Sequence, residues 1–197
     1  MKTLLLELKT SVLLTVVLVV VLCGAYPVVI WGGAQAFFPA KANGSLIVDQ
    51  SGAVRGSALL AQSFTSAKYF QPRPSAAGTG YDATSSSGTN LGPTSQKLAD
   101  SIKAAVAAYR TANGLAADAP VPADAVTSSG SGLDPHISAA NADIQAHRVA
   151  STRSLPLAKV QALVAAHTEG RDLGVLGEPG VNVLLLNLDL DRLSSTH

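Results

Sequence analysis

Asp134-Pro135-His136 follows Ser128-Ser129-Gly130-Ser131, placing a carboxylate, an imidazole and several hydroxyls within a short stretch. These are the groups of nucleophilic hydrolysis, with serine attacking, histidine as base and the acid orienting it. The spacing does not fit a nucleophile elbow, which needs GxSxG; Ser131 has Ser129 two residues before it. An Asp-Pro turn leading to a helix-entry histidine is the structural reading of the same residues. His136, His147 and His167 are spread too widely for a metal set, and His197 reads as a loose end. Two Gly/Ser loops, GTGYDATSSSGTNLGPTS over Gly78–Ser95 and SSGSGLDP over Ser128–Pro135, suggest backbone N–H groups cradling a phosphate. Neither carries GxxxxGK[ST], and no GxGxxG joins a strand to a helix, so structural turns are the plainer reading. No aspartyl-phosphorylation sequence of the DKTGT type occurs. Asn141 and Gln145 share a helix face, as exposed amides or as partner contacts. Arg148 and Arg153 lie in that helix and at its exit, on a solvated face or capping backbone carbonyls. By residue chemistry alone, the chain shows no active site.

The elements that would position these groups begin with Ser11–Trp31, SVLLTVVLVVVLCGAYPVVIW, 21 residues without a charge. As a helix at about 1.5 Å per residue it covers roughly 30 Å, the thickness of bilayer hydrocarbon. Thirteen of its residues are Val, Leu or Ile. At roughly −0.4 kcal/mol each, insertion gains about 5 kcal/mol with no charge opposing it. A cleaved leader is the competing reading, with Lys2 and Lys9 as its basic start and Ala34-Gln35-Ala36 as its cleavage site. The run is longer than such leaders carry, and Tyr26 and Trp31 suit a membrane interface. Lys2 and Lys9 before the span, against Lys41 after it, favour an N-terminus inside and the remainder outside. The expectation is an α+β protein: a tail over 1–10, a transmembrane helix over 11–33, one extracytoplasmic mixed helix/strand domain over 34–193, and a loose tail over 194–197.

Composition narrows the classes. Net charge is +1 and charged residues make up 14% of the chain, which excludes a basic nucleic-acid face. The one cysteine, Cys23, lies in the span, leaving the soluble portion without disulfide or thiol chemistry. Gly32-Gly33 is expected to break the first helix, Ala42–Ser45 to turn, and Leu46-Ile47-Val48 to form a strand. Two prolines keep Lys68–Ser75 from being helical. Ser95 or Thr94 caps a helix with Leu98, Ile102, Val106 and Tyr109 on one face, ended by Asn113-Gly114. Pro120–Thr127 reads as extended. Ser138 caps a helix to about Ser151, and Ser154 caps another carrying Leu157, Val160, Val164 and His167. Val181–Asn187 reads as the best strand, too short to cross a membrane.

In order along nearly the whole chain come Tyr26-Pro27, Phe38-Pro39 with Ala42-Asn43-Gly44-Ser45-Leu46-Ile47, and Gly56-Ser57-Ala58-Leu59. Then follow Gln62-x-Phe64, Tyr69-Phe70-x-x-Arg73-Pro74-Ser75-Ala76 and Ser87-Gly88-Thr89-Asn90-Leu91-Gly92-Pro93-Thr94-Ser95. The last are Val126-Thr127, Ser131-Gly132-Leu133-Asp134-Pro135-His136-Ile137, Arg148-Val149-Ala150, Gly177-Glu178-Pro179, Val181-Asn182-Val183 and Leu186-Asn187-Leu188. The set resembles the KdpC family, the C subunit of the Kdp potassium-transporting P-type ATPase. Gly180 departs from the pattern, where a larger and often basic residue is expected. The resemblance implies a single-span, non-catalytic assembly subunit at the bacterial inner membrane. Its partners would be a channel-like potassium-translocating subunit, a P-type ATPase subunit and a small accessory peptide. It would hold no cofactor of its own; ATP, Mg and K belong to the complex. The family is also described as a catalytic chaperone that raises the ATPase subunit's affinity for ATP, with Gln145 likened to a signature glutamine of ABC transporters. On the topology above, Gln145 lies opposite the nucleotide pool, so the expected role is a scaffold capping the channel mouth. Tyr26, Pro27, Asn90, Asp134, His136 and Arg148 are its candidate contacts, with Asp82 and Asp134 shaping local cation concentration. A membrane-anchored hydrolase or a solute-binding module remains the reading of another class.

Overall fold

The computed structural model describes residues 2–49 and 51–194 and divides the chain into two compact units, 1–55 and 56–197. The expectation for His197 lies outside the described residues.

In the first unit, helix α1 (Lys2–Leu18) runs through a π-helical stretch, Val19–Ala25, into α2 (Tyr26–Phe37). Pro27 accounts for the π turn: it lacks an N–H, and its ring crowds the carbonyl four residues before it. The helix widens there, and the Tyr26 N–H reaches back to Val21 O. Thr3–Phe37 forms one apolar helix long enough to cross a membrane, with its side chains outward. The expected break at Gly32-Gly33 does not occur. A continuous helix satisfies the backbone of both glycines where no other donors are at hand. The helix ends instead at Phe38, whose φ of −137° leaves the helical region that a residue preceding proline disfavours. A short helix, α3 (Pro39–Ala42), and the expected turn lead to β1 (Leu46–Val48), which pairs with β2 (Val54–Ser57). The Asp49 carboxylate organises the connection by accepting from the Ser51 N–H, the Ser51 hydroxyl and the Ala53 N–H. These bonds, the Ser51 hydroxyl first, draw its pKa down to about 2.

Among the described residues, the second unit is built on four α-helices and a small sheet. After a long irregular stretch, α4 (Gln96–Ala112) starts at Ser95, whose hydroxyl accepts the Leu98 N–H. Pro120–Thr127 is not simply extended: Ala123–Ala125 closes a 3-10 turn, placing Asp124 beside the next helix start. Strand β3 (His136–Ile137) precedes α5 (Ala139–Arg153), capped by Ser138 as expected and two residues longer than expected. Ser154 does not cap the following helix. It ends α5 in the left-handed conformation, at φ 54°, and Pro156 starts α6 (Leu157–Ala166). Proline suits that boundary because a helix start needs no N–H there.

The largest departure lies at the C-terminal end. Only Gly180–Asn182 is strand (β5); Val183–Ser194 is helix α7. A continuous apolar run does not separate a buried strand from a buried helix. Asn182 decides it, because its Oδ1 accepts the Leu185 N–H and opens a helical turn. Val183, Leu186, Asn187 and Leu190 then share the buried stripe. β5 is the middle strand of an antiparallel three-stranded sheet with β3 on one side and β4 (Thr168–Glu169) on the other. Val181 sits between Ile137 and Thr168 in register. The core gathers Phe70, Ile137, Ala142, Ala146, Val149, Val160, Val164, Val181, Leu186 and Leu190, from α5, α6, α7 and the sheet.

Candidate functional site

Helix α5 turns a polar face inward. Asn141 and Gln145 are each 1% exposed, so the sequence reading of exposed amides is corrected. A buried amide needs its bonds made within the fold. Gln145 makes four. Its Oε1 accepts from Gln71 N at 2.7 Å and from Arg148 Nη2 at 2.8 Å. Its Nε2 donates to Gln71 O at 3.0 Å and to Asn141 Oδ1 at 2.9 Å. That fills both donors and both acceptor sites of the amide. Asn187, on α7, treats the preceding residue the same way, accepting from Phe70 N and donating to Phe70 O. Two side-chain amides thus bond the backbone of Phe70-Gln71 as a neighbouring strand would, and Phe70 is driven fully into the core.

Around this pair the network extends outward. Asn141 Oδ1 also accepts from the Tyr109 hydroxyl at 2.8 Å, and its Nδ2 donates to Asp124 at 2.9 Å. Burial first, then the negative charge of Asp124, pushes the Tyr109 hydroxyl well above its ordinary pKa. Asp124 also accepts from the Ser138 N–H and hydroxyl, setting an anion at the N-terminus of α5 where the helix dipole favours it. Arg148 donates to Asn113 Oδ1, Ala67 O and Tyr69 O as well as to Gln145. The sequence reading of carbonyl capping is met. Burial lowers its pKa from the ordinary arginine value. Arg153 donates to Lys68 O and pairs with Asp191 at 2.8 Å, while Tyr69 bonds that same carboxylate through its hydroxyl. Residues 67–71 are therefore held by side chains from two helices, α5 and α7.

Asp134 and His136 belong to a second cluster. Asp134 accepts the His136 N–H at 3.0 Å, pairs with Arg73 at 3.3 Å and lies 3.4 Å from His136 Nδ1. His136 Nε2 lies 3.3 Å from Glu169, within ion-pair reach though not aligned as a hydrogen bond. The histidine crosses the middle strand because Gly180 has no side chain; a Cβ there would come within 3.0 Å of His136 Cβ. Asp134, chiefly, raises the His136 pKa against the opposing effect of burial, and Glu169 adds to it. His136 in turn holds the Asp134 carboxyl below its usual value. Ser131 Oγ accepts from Leu133 N.

The two Gly/Ser loops bond one another. Ser87 N and Ser86 Oγ both donate to Ser131 O, and Ser75 Oγ donates to Gly132 O. Gly132 has φ +68° and lies against Ser87 O and Ala77 N, at 2.6 and 2.7 Å from a built Cβ. Asn90 is exposed, with φ 52°. Tyr26 and Pro27 lie on the apolar helix of the first unit. His147 is exposed on α5, and His167 pairs with Asp189 at 2.8 Å. Among the described residues no three His, Cys, Asp or Glu side chains gather to hold a metal. What sequence reasoning missed is the part played by Asn187, Asp124 and Tyr109. The pattern Asn141-x-x-x-Gln145-x-x-Arg148 on one helix face is the signal that could have suggested a buried hub.

The polar residues fit close internal packing. The family model for KdpC, the c chain of K+-transporting ATPase, matches residues 8–192. A potassium-transporting ATPase KdpC subunit of Mycobacterium bovis is 56% identical over 168 residues, 85% of this chain and 88% of that protein. One from Koribacter versatilis is 55% identical over 186 residues, 94% of each. One from Myxococcus xanthus is 55% identical over 183 residues, covering 92% of this chain and 86% of that protein. The chain belongs to the KdpC family of potassium-transporting ATPase subunits.

Proposed function

We propose that this chain is the non-catalytic assembly subunit of an ATP-driven potassium uptake complex in the bacterial inner membrane. The apolar helix Thr3–Phe37 anchors it, with the N-terminus inside and the second unit outside, over the mouth of the channel-like subunit. The P-type ATPase subunit and a small accessory peptide complete the complex, to which ATP, Mg and K belong. One observation carries the non-catalytic reading. The groups most suited to chemistry are spent on the fold: Gln145 makes four internal bonds and Arg148 donates to three backbone or amide oxygens besides Gln145. A nucleotide-assisting Gln145 would have to abandon bonds that hold Gln71 in place.

The test is to co-express the tagged full chain with the other transporter subunits and purify in mild detergent. The expected result is recovery of the larger subunits, potassium-stimulated ATP hydrolysis by the whole and none by this chain alone. Cysteine labelling from outside, in a Cys23→Ser background with one cysteine placed on α4, is expected to modify intact cells. A Gln145 variant that raises the KM for ATP while melting at the wild-type temperature would reverse the reading in favour of nucleotide assistance.

A further inference from the structure

Between β4 and β5, residues 170–179 form a projecting hairpin. Asp172 and Leu176 bridge it with two backbone hydrogen bonds of 2.9 Å, and Gly174 N and Val175 N close tighter turns onto Arg171 O and Asp172 O. Arg171 clasps Glu178 across its base through both carboxylate oxygens, at 2.9 and 2.7 Å. The hairpin is thus prefolded. Its tip is nevertheless apolar and open: Leu173 is 91% exposed, Val175 73% and Leu176 58%. Leu173 also stands at φ +52°, a conformation that disfavours any residue with a Cβ. A leucine held in a strained conformation and displayed to water gains nothing for its own unit.

We propose that this hairpin is a preformed plug that seats in an apolar recess of another protein subunit of the transporter; the inference rests on the assembly role above. The observations favour protein over lipid. The tip has no Trp, Tyr or Phe to settle at a membrane interface. Its one cation, Arg171, is paired with Glu178, and residues 171–178 carry a net charge of −1, which anionic lipid repels. With Glu178 paired to Arg171, the charge left is that of Asp172, and a protein recess with a basic group facing Asp172 complements both the apolar tip and its charge. A rigid apolar anchor entering a pocket with little conformational loss is the form that interface hot spots take.

The experiment uses the full chain co-expressed with its transporter subunits. Leu173→Gly removes the anchor and relieves the strained backbone; a second variant combines Leu173→Gly with Val175→Ser and Leu176→Ser. Both chains alone are expected to melt at or above the wild-type temperature. In complex, the single variant is expected to weaken retention of the larger subunits about tenfold, and the triple variant to abolish it. Wild-type-like retention of the triple variant would overturn the plug while leaving the assembly role intact. A wild-type chain that never co-purifies would overturn both. Loss of binding to phosphatidylglycerol vesicles with assembly unchanged would assign the hairpin to lipid and overturn the proposal.

Discussion

Gln145 shows how much one side chain can hold. Removing it as Gln145→Ala would leave Gln71 N–H and C=O and one Arg148 donor without these partners, and Asn141 Oδ1 with Tyr109 alone. The expected cost is about 2–4 kcal/mol, read as a lower denaturation midpoint of the full chain in detergent. An unchanged midpoint would remove the hub from the account. His136 makes a smaller, pH-dependent contribution. Its folded pKa is raised above 6.5, so protonation favours the folded state. That stability is whole below about pH 6.5 and is lost as pH rises through the raised folded value. Its carboxylate partners are partly exposed, so the effect stays below about 1 kcal/mol. Comparing the wild type with His136→Gln at pH 6 and pH 8 should show a gap at the lower pH that narrows at the higher; a constant gap would contradict it. Asp134 and His136 were visible in sequence as a carboxylate beside an imidazole, but the expected helix-entry histidine is corrected: His136 lies in β3, its N–H donated to the Asp134 carboxylate. Glu169 was not visible, because only the sheet register brings residue 169 opposite residue 180 and so within reach of residue 136.

Helix starts with a serine before an amphipathic run were legible, and Ser95 and Ser138 open α4 and α5 as their sequences say. The errors have local causes. Ser154 precedes Leu155-Pro156 and looked like a cap, but the chain must reverse sharply between α5 and α6, and a left-handed residue makes that turn. Ser154→Gly should therefore raise stability by about 0.5–1 kcal/mol, because glycine enters this region without a Cβ clash; a thermal melt decides it. Val181–Asn187 misled because apolar content was continuous, and only Asn182's capping bond separates strand from helix. The Gly/Ser loops were readable as turns but not as each other's partners. Gly132 is where they meet most closely, and Gly132→Ala places a methyl against Ser87 O and Ala77 N. A loss of about 2–4 kcal/mol is expected, with greater proteolysis in residues 78–95. Retained protease resistance would mean the loops do not depend on each other.

At the scale of the molecule, the α+β class and the long apolar helix were both legible, since each rests on patterns many residues long. The helix ends were not, because Pro39 and not the glycine pair stops it. Paired changes Val17→Arg and Val20→Arg add about 2.5–3.5 kcal/mol each at the centre of the span. Together they are expected to move the chain from the carbonate-resistant membrane pellet to the supernatant. What the sequence could not display is how the second unit is tied together across its length. Phe70 and Gln71 rest on Asn187 and Gln145, 117 and 74 positions further along. A ribosome releases the earlier residues first. The segment around residue 70 therefore emerges with nothing to bind, and waits until the last helix has been made. Closing so wide a loop is slow, and in the interval Tyr69 and Phe70 are open to chaperones and proteases. A chain arrested before residue 183 would accordingly be degraded rather than stored as a partly folded body.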